Sequence, residues 1–244
     1  MSQNISSAVM AQRQEPPDSL DDFPTQPFAV RQLIEVVLQP MGLVERNQVV
    51  WEPAANRGHM VRVLREYFDT VHASDVLDYG VGFPVFDFLS LEAGQLGPGM
   101  PFGDVDWVIT NPPFGPASAP RLLRFALTAL QFARVGIAMF GRIQMLEGGK
   151  RFDAVWRPYA RQAFYVQHVE RVPLHKGRLL DPSKEYWDED SGRMKRPSSA
   201  TSYGWMVVSR KDLPPALPDM GVDSVPVVFI PPSRAKFERP GDYR

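Results

Sequence analysis

An asparagine, two prolines and an aromatic ring, Asn111-Pro112-Pro113-Phe114, close the apolar run VDWVIT. The side-chain oxygen of Asn111 and the backbone carbonyl of Pro112 are neighbouring acceptors, and the proline pair keeps that carbonyl from moving. Two such acceptors can draw the N–H bonds of a planar amine, turning its nitrogen toward tetrahedral geometry with the lone pair aimed at an electrophile. Phe114 adds a face on which a flat ring can stack. From the chain's own counts of asparagine, proline and phenylalanine, this tetrapeptide is expected roughly 0.002 times by chance. The bland alternative is a turn in which Pro-Pro only stops a strand.

Three carboxylates are spaced so that they can share a ligand. Glu52 opens the loop EPAANRGHM, which follows one apolar run and leads into a helical pattern. There a ligand meets backbone N–H groups and a helix N-terminus. Only Gly58 is a permissive glycine in that loop, so a dinucleotide fingerprint is absent. Asp75 follows Glu52 by 23 residues, at the end of a second strand, where an acid commonly accepts from ribose hydroxyls. Asp87 lies in VFDFLS, read as the end of a third strand. Taken singly, each acid reads as a cap or a solvated residue. Histidines at 59, 72, 168 and 175 are scattered and cysteine is absent, so no metal cluster is expected, nor any disulfide or thiolate chemistry.

The elements that must hold these residues follow from periodicity. Thr25 is read as the N-cap of a helix with Pro27 in its first turn and Val30, Leu33, Ile34 and Val37 on one face, ended by Pro40. Val49 to Trp51 form a strand, Met60, Val63, Leu64 and Phe68 a helix face, and TVHASDV the next strand. VFDFLS, VDWVIT and VGIAMF are the third to fifth strands, the last preceded by a helix with Leu123, Ala126, Leu127 and Leu130 in phase. Strands alternating with helices of this length indicate a mostly parallel sheet covered on both faces. Beyond Phe140 come a helix stripe (Phe152, Val155, Trp156, Tyr159), the strands YVQHVERV and YGWMVVS, and an extended segment at VPVVFIPP. Residues 175–200, polar and of mixed charge, are too long for a tight hairpin turn and read as a functional loop.

Composition sets the outer bounds. The 244 residues are 44% hydrophobic and 23% charged, an ordinary globular mixture that suits one main domain. The start is polar, without an apolar span or signal peptide, so a soluble, cytoplasmic protein is expected. Net charge is −1, but residues 142–178 hold 8 Lys/Arg against 3 acids. That imbalance is compatible with a phosphate-facing surface and equally with a solvated helix face.

The order TQPFAV, EPAANRG, SDV, DFL, NPPF resembles the amino-methyltransferases of the class I, S-adenosylmethionine-dependent fold, particularly the adenine-N6 DNA methyltransferases of phages and prophages. The match spans roughly residues 25–145, and NPPF is its specific element. The resemblance implies an α/β, Rossmann-like fold: a mostly parallel seven-stranded sheet with helices on both faces and a small loop insertion near the carboxyl-terminal strands. It implies S-adenosyl-L-methionine as cofactor. Thr25 and Pro27 would face its methionine carboxylate, and Glu52, Pro53, Ala54, Asn56 and Gly58 would hold the methionine moiety. Asp75 would take the ribose, and Asp87 with Phe88 the adenine. Asn111, Pro112, Pro113 and Phe114 would hold the substrate amine. The family usually has glycine where Asn56 stands, and asparagine is the side chain that best tolerates a left-handed backbone there.

These readings divide the chain into a flexible arm (1–22), a methyltransferase domain (23–212) containing the candidate substrate loop (175–200), and an extension (213–244). The expected partner is nucleic acid, foremost duplex DNA, with no membrane. Arg151, Arg157 and Arg161 are candidates for phosphates, and Trp187 and Tyr203 for an extruded base, although Tyr203 and Trp205 fit the core of the last strand equally well. Enzymes methylating RNA bases or a protein glutamine share the tetrapeptide. An inactive nucleic-acid-binding protein of the same fold is the alternative from outside the enzymes.

Overall fold

The computed structural model describes residues 21–91, 103–114, 121–189, 191–213 and 224–244. The segment 1–20, most of the expected arm, lies outside them; Asp22, at the arm's expected end, is buried.

Among the described residues, nine strands form two sheets. Seven of them, β1 (Val49–Glu52), β2 (Thr70–Ala73), β3 (Trp107–Thr110), β4 (Gly136–Arg142), β5 (Ala163–His168), β8 (Tyr203–Ser209) and β9 (Val227–Ile230), make one sheet in the order β2-β1-β3-β4-β8-β5-β9. Pairings β1–β2, β1–β3, β3–β4 and β5–β9 are parallel, and β8 runs antiparallel to both β4 and β5. The sheet has the expected seven strands, but not the expected seven. VFDFLS forms only an isolated bridge, Asp75 with Val85, and then a 3₁₀ turn at Phe88–Ser90 that the Asp87 side chain caps from Oδ1 to the Leu89 N–H. A capping aspartate competes with a ladder for the backbone, so the strand stops there. The seventh strand is β9, which extends the far edge beside β5.

Period-two alternation sorts the strand residues onto two cores. Val50, Trp107, Ile109, Phe140, Phe164, Val166, Trp205 and Val207 pack beneath α1 (Pro27–Gln32, continuing with wider π-helical turns over Leu33–Leu38) and α2 (His59–Tyr67). Trp51, Val108, Ile137, Met139, Tyr165, Met206 and Val208 pack on the other face with α3 (Arg121–Phe132) and the π-helical turn Phe152–Trp156 that follows α4 (Gly149–Arg151). Leu127 of α3, expected in the buried stripe, is at the surface. The N-cap of α1 is Gln26, not Thr25. Gln26 is drawn inward because its Nε2 donates to the carbonyls of Pro173 and Leu180.

The extension closes over α1. Arg31, 3% exposed at its side chain, forms ion pairs with Glu66 at 2.7 Å and Asp242 at 2.8 Å, and α5 (Arg234–Phe237) offers it the Phe237 carbonyl. Residues 175–200 are not a plain loop: β6 (Tyr186–Asp188) and β7 (Arg193–Lys195) pair antiparallel as a hairpin of their own. Among the described residues no helix is long and apolar enough to cross a membrane.

Candidate active-site cleft

A cleft of about 410 Å³ lies where β1, β2 and β3 end. In an open α/β sheet the carboxyl ends of the strands are where ligands are received. Thr25, Glu52, Pro53, Ala54, Asn56, Asp75, Asp87, Phe88, Asn111 and Pro113 all line it, so the structure brings together residues read from five separate stretches of sequence. Pro27, Gly58, Pro112 and Phe114 stand behind the wall. Pro27 is buried at the start of α1, and Gly58 turns the loop into α2 with φ +79°. A Cβ at position 58 would meet the Phe83 ring at 2.9 Å, so glycine is required there for both backbone and space. Phe114 packs on the core between Arg142, whose guanidinium lies 5.2 Å from the ring centre, and Tyr203.

At the tetrapeptide, the Asn111 Nδ2 donates to the Phe23 carbonyl at 2.9 Å. A carbonyl only accepts, so this contact fixes which way round the amide lies. Its oxygen, Oδ1, is buried and has no partner. Glu52 is arranged in a similar way. Oε1 accepts from the Thr110 hydroxyl at 2.5 Å and from the Ala54 N–H at 3.3 Å, while Oε2 is buried without a partner. Burial pushes the Glu52 carboxyl well above its ordinary range, against the lowering pull of the Thr110 hydroxyl. Two buried acceptors without donors on one cleft are costly unless a ligand supplies the donors.

Asp75 is differently placed. Its Oδ2 accepts from the Asn56 N–H at 2.8 Å and its Oδ1 from the Leu77 N–H at 3.1 Å, so it braces the loop while keeping lone pairs toward the cleft. Asn56 takes a left-handed backbone, φ +50°, and is the only non-glycine residue among those described to do so. Asp87 is exposed on the lip. Phe88 is buried against Trp51 and Phe125, at centroid distances of 5.2 and 4.9 Å.

Sequence reasoning missed several wall residues. His59, the first residue of α2, faces the cleft with its pKa pushed down to about 4 by burial and by Arg62 and Arg57. Tyr79 lines it too, under the Arg57 guanidinium at 5.1 Å. Arg121 and Arg124, one turn apart on α3, form the basic side of a cleft whose other charges are Asp21, Glu52, Asp75 and Asp87. Thr110, directly before Asn111, was legible as a polar residue ending an apolar strand. Two of the three basic residues expected to meet phosphates have partners of their own. Arg151 donates to the carbonyls of Gln144 and Met145, and Arg157 pairs with Asp153 at 2.7 Å and lies over Phe152. Arg161 is exposed, Trp187 is 54% exposed on the hairpin, and Tyr203 is 4% exposed, stacked on Phe140.

No family model matches the sequence, and no curated protein matches it. Solved structures do. A protein from Listeria monocytogenes described as a class I S-adenosylmethionine-dependent methyltransferase superposes with a TM-score of 0.52 at 13% identity, over 87% of this chain and 67% of its own. The fold is that of the class I methyltransferases. Two further structures with this methyltransferase fold are a modification subunit of a type I restriction enzyme from Vibrio vulnificus and a type I restriction-modification methyltransferase subunit from Streptococcus thermophilus. The first has a TM-score of 0.50, 12% identity and 86% of this chain covered; the second 0.52, 9% and 78%. This chain spans 47% and 45% of those two subunits, so the shared part is the methyltransferase-like fold and not the whole of either protein.

Proposed function

We propose that this protein moves a methyl group from S-adenosyl-L-methionine to an exocyclic amine, with N6 of adenine in DNA as the favoured acceptor. The observation that carries the reading is the buried, unpartnered Oδ1 of Asn111, in an amide whose orientation is fixed by the bond its Nδ2 gives to Phe23. An amine conjugated to a ring is a poor nucleophile because its lone pair is delocalised. Asn111 Oδ1 and the Pro112 carbonyl accept its two N–H bonds and bring the lone pair out of the ring plane. Phe114, packed between Arg142 and Tyr203, holds the tetrapeptide against the core.

The residues present suit the cofactor. The unpartnered Oε2 of Glu52 is an acceptor for an ammonium group, Asp75 for ribose hydroxyls, and Asp87 with the Phe88 edge for an adenine amine. Thr25, Pro53, Ala54 and Asn56 complete the wall. When bound, S-adenosylmethionine supplies a methyl group on a sulfonium, a leaving group that needs no metal or acid. Formation of the N–C bond would break the methyl–sulfur bond and require the amine to give up a proton, for which His59, the histidine on the cleft wall, would be a neutral acceptor.

DNA is favoured over a protein substrate because Arg121 and Arg124 give the cleft a cationic wall on the tetrapeptide's side. Among the described residues neither guanidinium has a carboxylate partner, and both suit the phosphates flanking a target nucleotide. Exposed Arg161 and Trp187 are proposed as outer contacts. The two restriction-modification neighbours add support. The test is expression in a host lacking adenine methylation, followed by sequencing of its DNA for modified adenine. Absence of the mark, with methyl transfer to RNA instead, moves the proposal to RNA.

A further inference from the structure

Asp22 has no part in the chemistry above, yet three segments meet on it. Its Oδ1 accepts from Asn56 Nδ2 at 2.7 Å, and Arg57 Nη1 reaches its two carboxylate oxygens at 3.0 and 2.8 Å. Its backbone carbonyl accepts from the Gly177 N–H at 2.8 Å, in the turn that leads to the β6–β7 hairpin. The side chain is buried, at 10% exposure, while Arg57 keeps 42%. The next carbonyl along the chain is that of Phe23, which holds the Asn111 amide. One planar peptide unit and the φ/ψ pair of Phe23 lie between the anchored residue and the carbonyl that orients the acceptor.

Orientation is the quantity at stake. An asparagine amide turned over about its last torsion presents N–H donors where an oxygen is needed, and the two faces are alike in shape. Only a partner that accepts without donating selects between them, and at Asn111 that partner is the Phe23 carbonyl. Its position is set from two sides, by the carboxylate tied to the Asn56–Arg57 loop and by the Asp22 carbonyl tied to Gly177. Asn56 thereby gains a purpose that glycine at the same place lacks. Its left-handed backbone serves the loop, and its Nδ2 is a donor to Asp22.

We infer that Asp22 is a positioning residue for methyl transfer, clasping the cofactor loop and the Gly177 turn to the peptide that presents Asn111 Oδ1 to the substrate amine. The inference rests on the proposed role of Asn111, and its test includes a readout that does not need turnover.

Four asparagines and twelve glutamines give sixteen side-chain amide pairs in a nitrogen-15 spectrum, and Asn111→Ala assigns the pair that matters. In Asp22→Ala, the Asn111 amide hydrogens should exchange with solvent about tenfold faster, the loss of roughly one hydrogen bond's protection. Methyl transfer should fall about tenfold as well, and Asp22→Asn, which keeps an acceptor oxygen for Asn56, should recover most of it. In an Asn111→Ala background the same Asp22→Ala change should cost less than about twofold, because the residue it acts through is gone. Unchanged amide exchange, or losses that multiply in the double variant, overturns the inference. If Asp22→Ala does not fold, Arg57→Met removes one tie from an exposed side chain and should give the same signs at smaller size. If the wild type transfers no methyl group to any amine while the Asn111 amide still loosens in Asp22→Ala, the clasp stands and the methyl-transfer reading falls.

Discussion

Two titratable side chains are buried at the same edge of the sheet, Glu52 ending β1 and His168 ending β5, and they are treated differently. His168 has both ring nitrogens engaged. Nε2 accepts from the Trp205 indole N–H at 3.0 Å, which leaves Nδ1 as the donor to Gln32 Oε1, also 3.0 Å, and Gln32 Nε2 donates on to Ser233. Burial pushes its pKa down to about 3, so it stays neutral in a closed chain of bonds joining β5, β8, α1 and the extension. Glu52 is as deeply buried, yet one oxygen has two donors and the other none. Burial of a polar group is common to both; Glu52 keeps unfilled bonding capacity and His168 does not.

The contrast predicts that variants of the closed networks lose stability and variants of the open ones lose function. The largest effect is expected at Arg31. Its removal leaves Glu66 and Asp242 beside a vacated, buried position, which should cost about 3 kcal/mol or more in urea unfolding while cofactor affinity per folded molecule stays the same. Asn111→Ala should do the opposite, lowering turnover roughly 10²-fold with unfolding within about 1 kcal/mol of wild type. A large stability loss there would mean the tetrapeptide is structural.

Glu52→Gln comes next. It should weaken S-adenosylmethionine binding about tenfold by calorimetry, the worth of one charge-assisted hydrogen bond. It also has a pH signature. Because the folded-state pKa of Glu52 lies above the unfolded value, its contribution to stability is complete below that unfolded value, near 4.5, and is lost as pH rises through the folded one. The glutamine variant should therefore gain on the wild type as pH is raised, seen as diverging urea midpoints. His59 gives the reverse slope. Its lowered pKa costs stability as pH falls from about 6.5 toward 4, and His59→Gln should flatten that loss. The smallest effect is expected at the basic wall, where Arg121→Gln and Arg124→Gln should each flatten the salt dependence of DNA binding by about one unit. Equal flattening by Arg151→Gln would return the phosphate contacts to the segment 142–178.

The cleft wall at the ends of β1, β2 and β3 was legible because its residues there sit at the end of apolar runs, where strand period and chemistry coincide in a few consecutive letters. Glu52, Asp75 and Asn111 are of this kind. Asp22 and Arg121 were not legible, since their roles come from contacts made across long stretches of chain, and in sequence both lie in polar stretches outside any strand. The element at 85–90 failed for a local reason, a cap by Asp87 that strand propensity does not register. Partners of the arginines in 142–178 were not legible because charge counts ignore them: Arg151 and Arg157 find theirs within seven residues.

The Arg31–Asp242 contact joins residues 211 positions apart. During synthesis Arg31 emerges 211 residues before its second carboxylate, so α1 leaves the ribosome carrying a cation whose native pocket does not yet exist. β9, which completes the sheet's far edge, is also made late. The parallel half of the sheet can assemble as it is made. Final locking of α1 must wait until Asp242 has been made, so a chain stalled before it leaves Arg31 without its second carboxylate and α1 open to proteolysis.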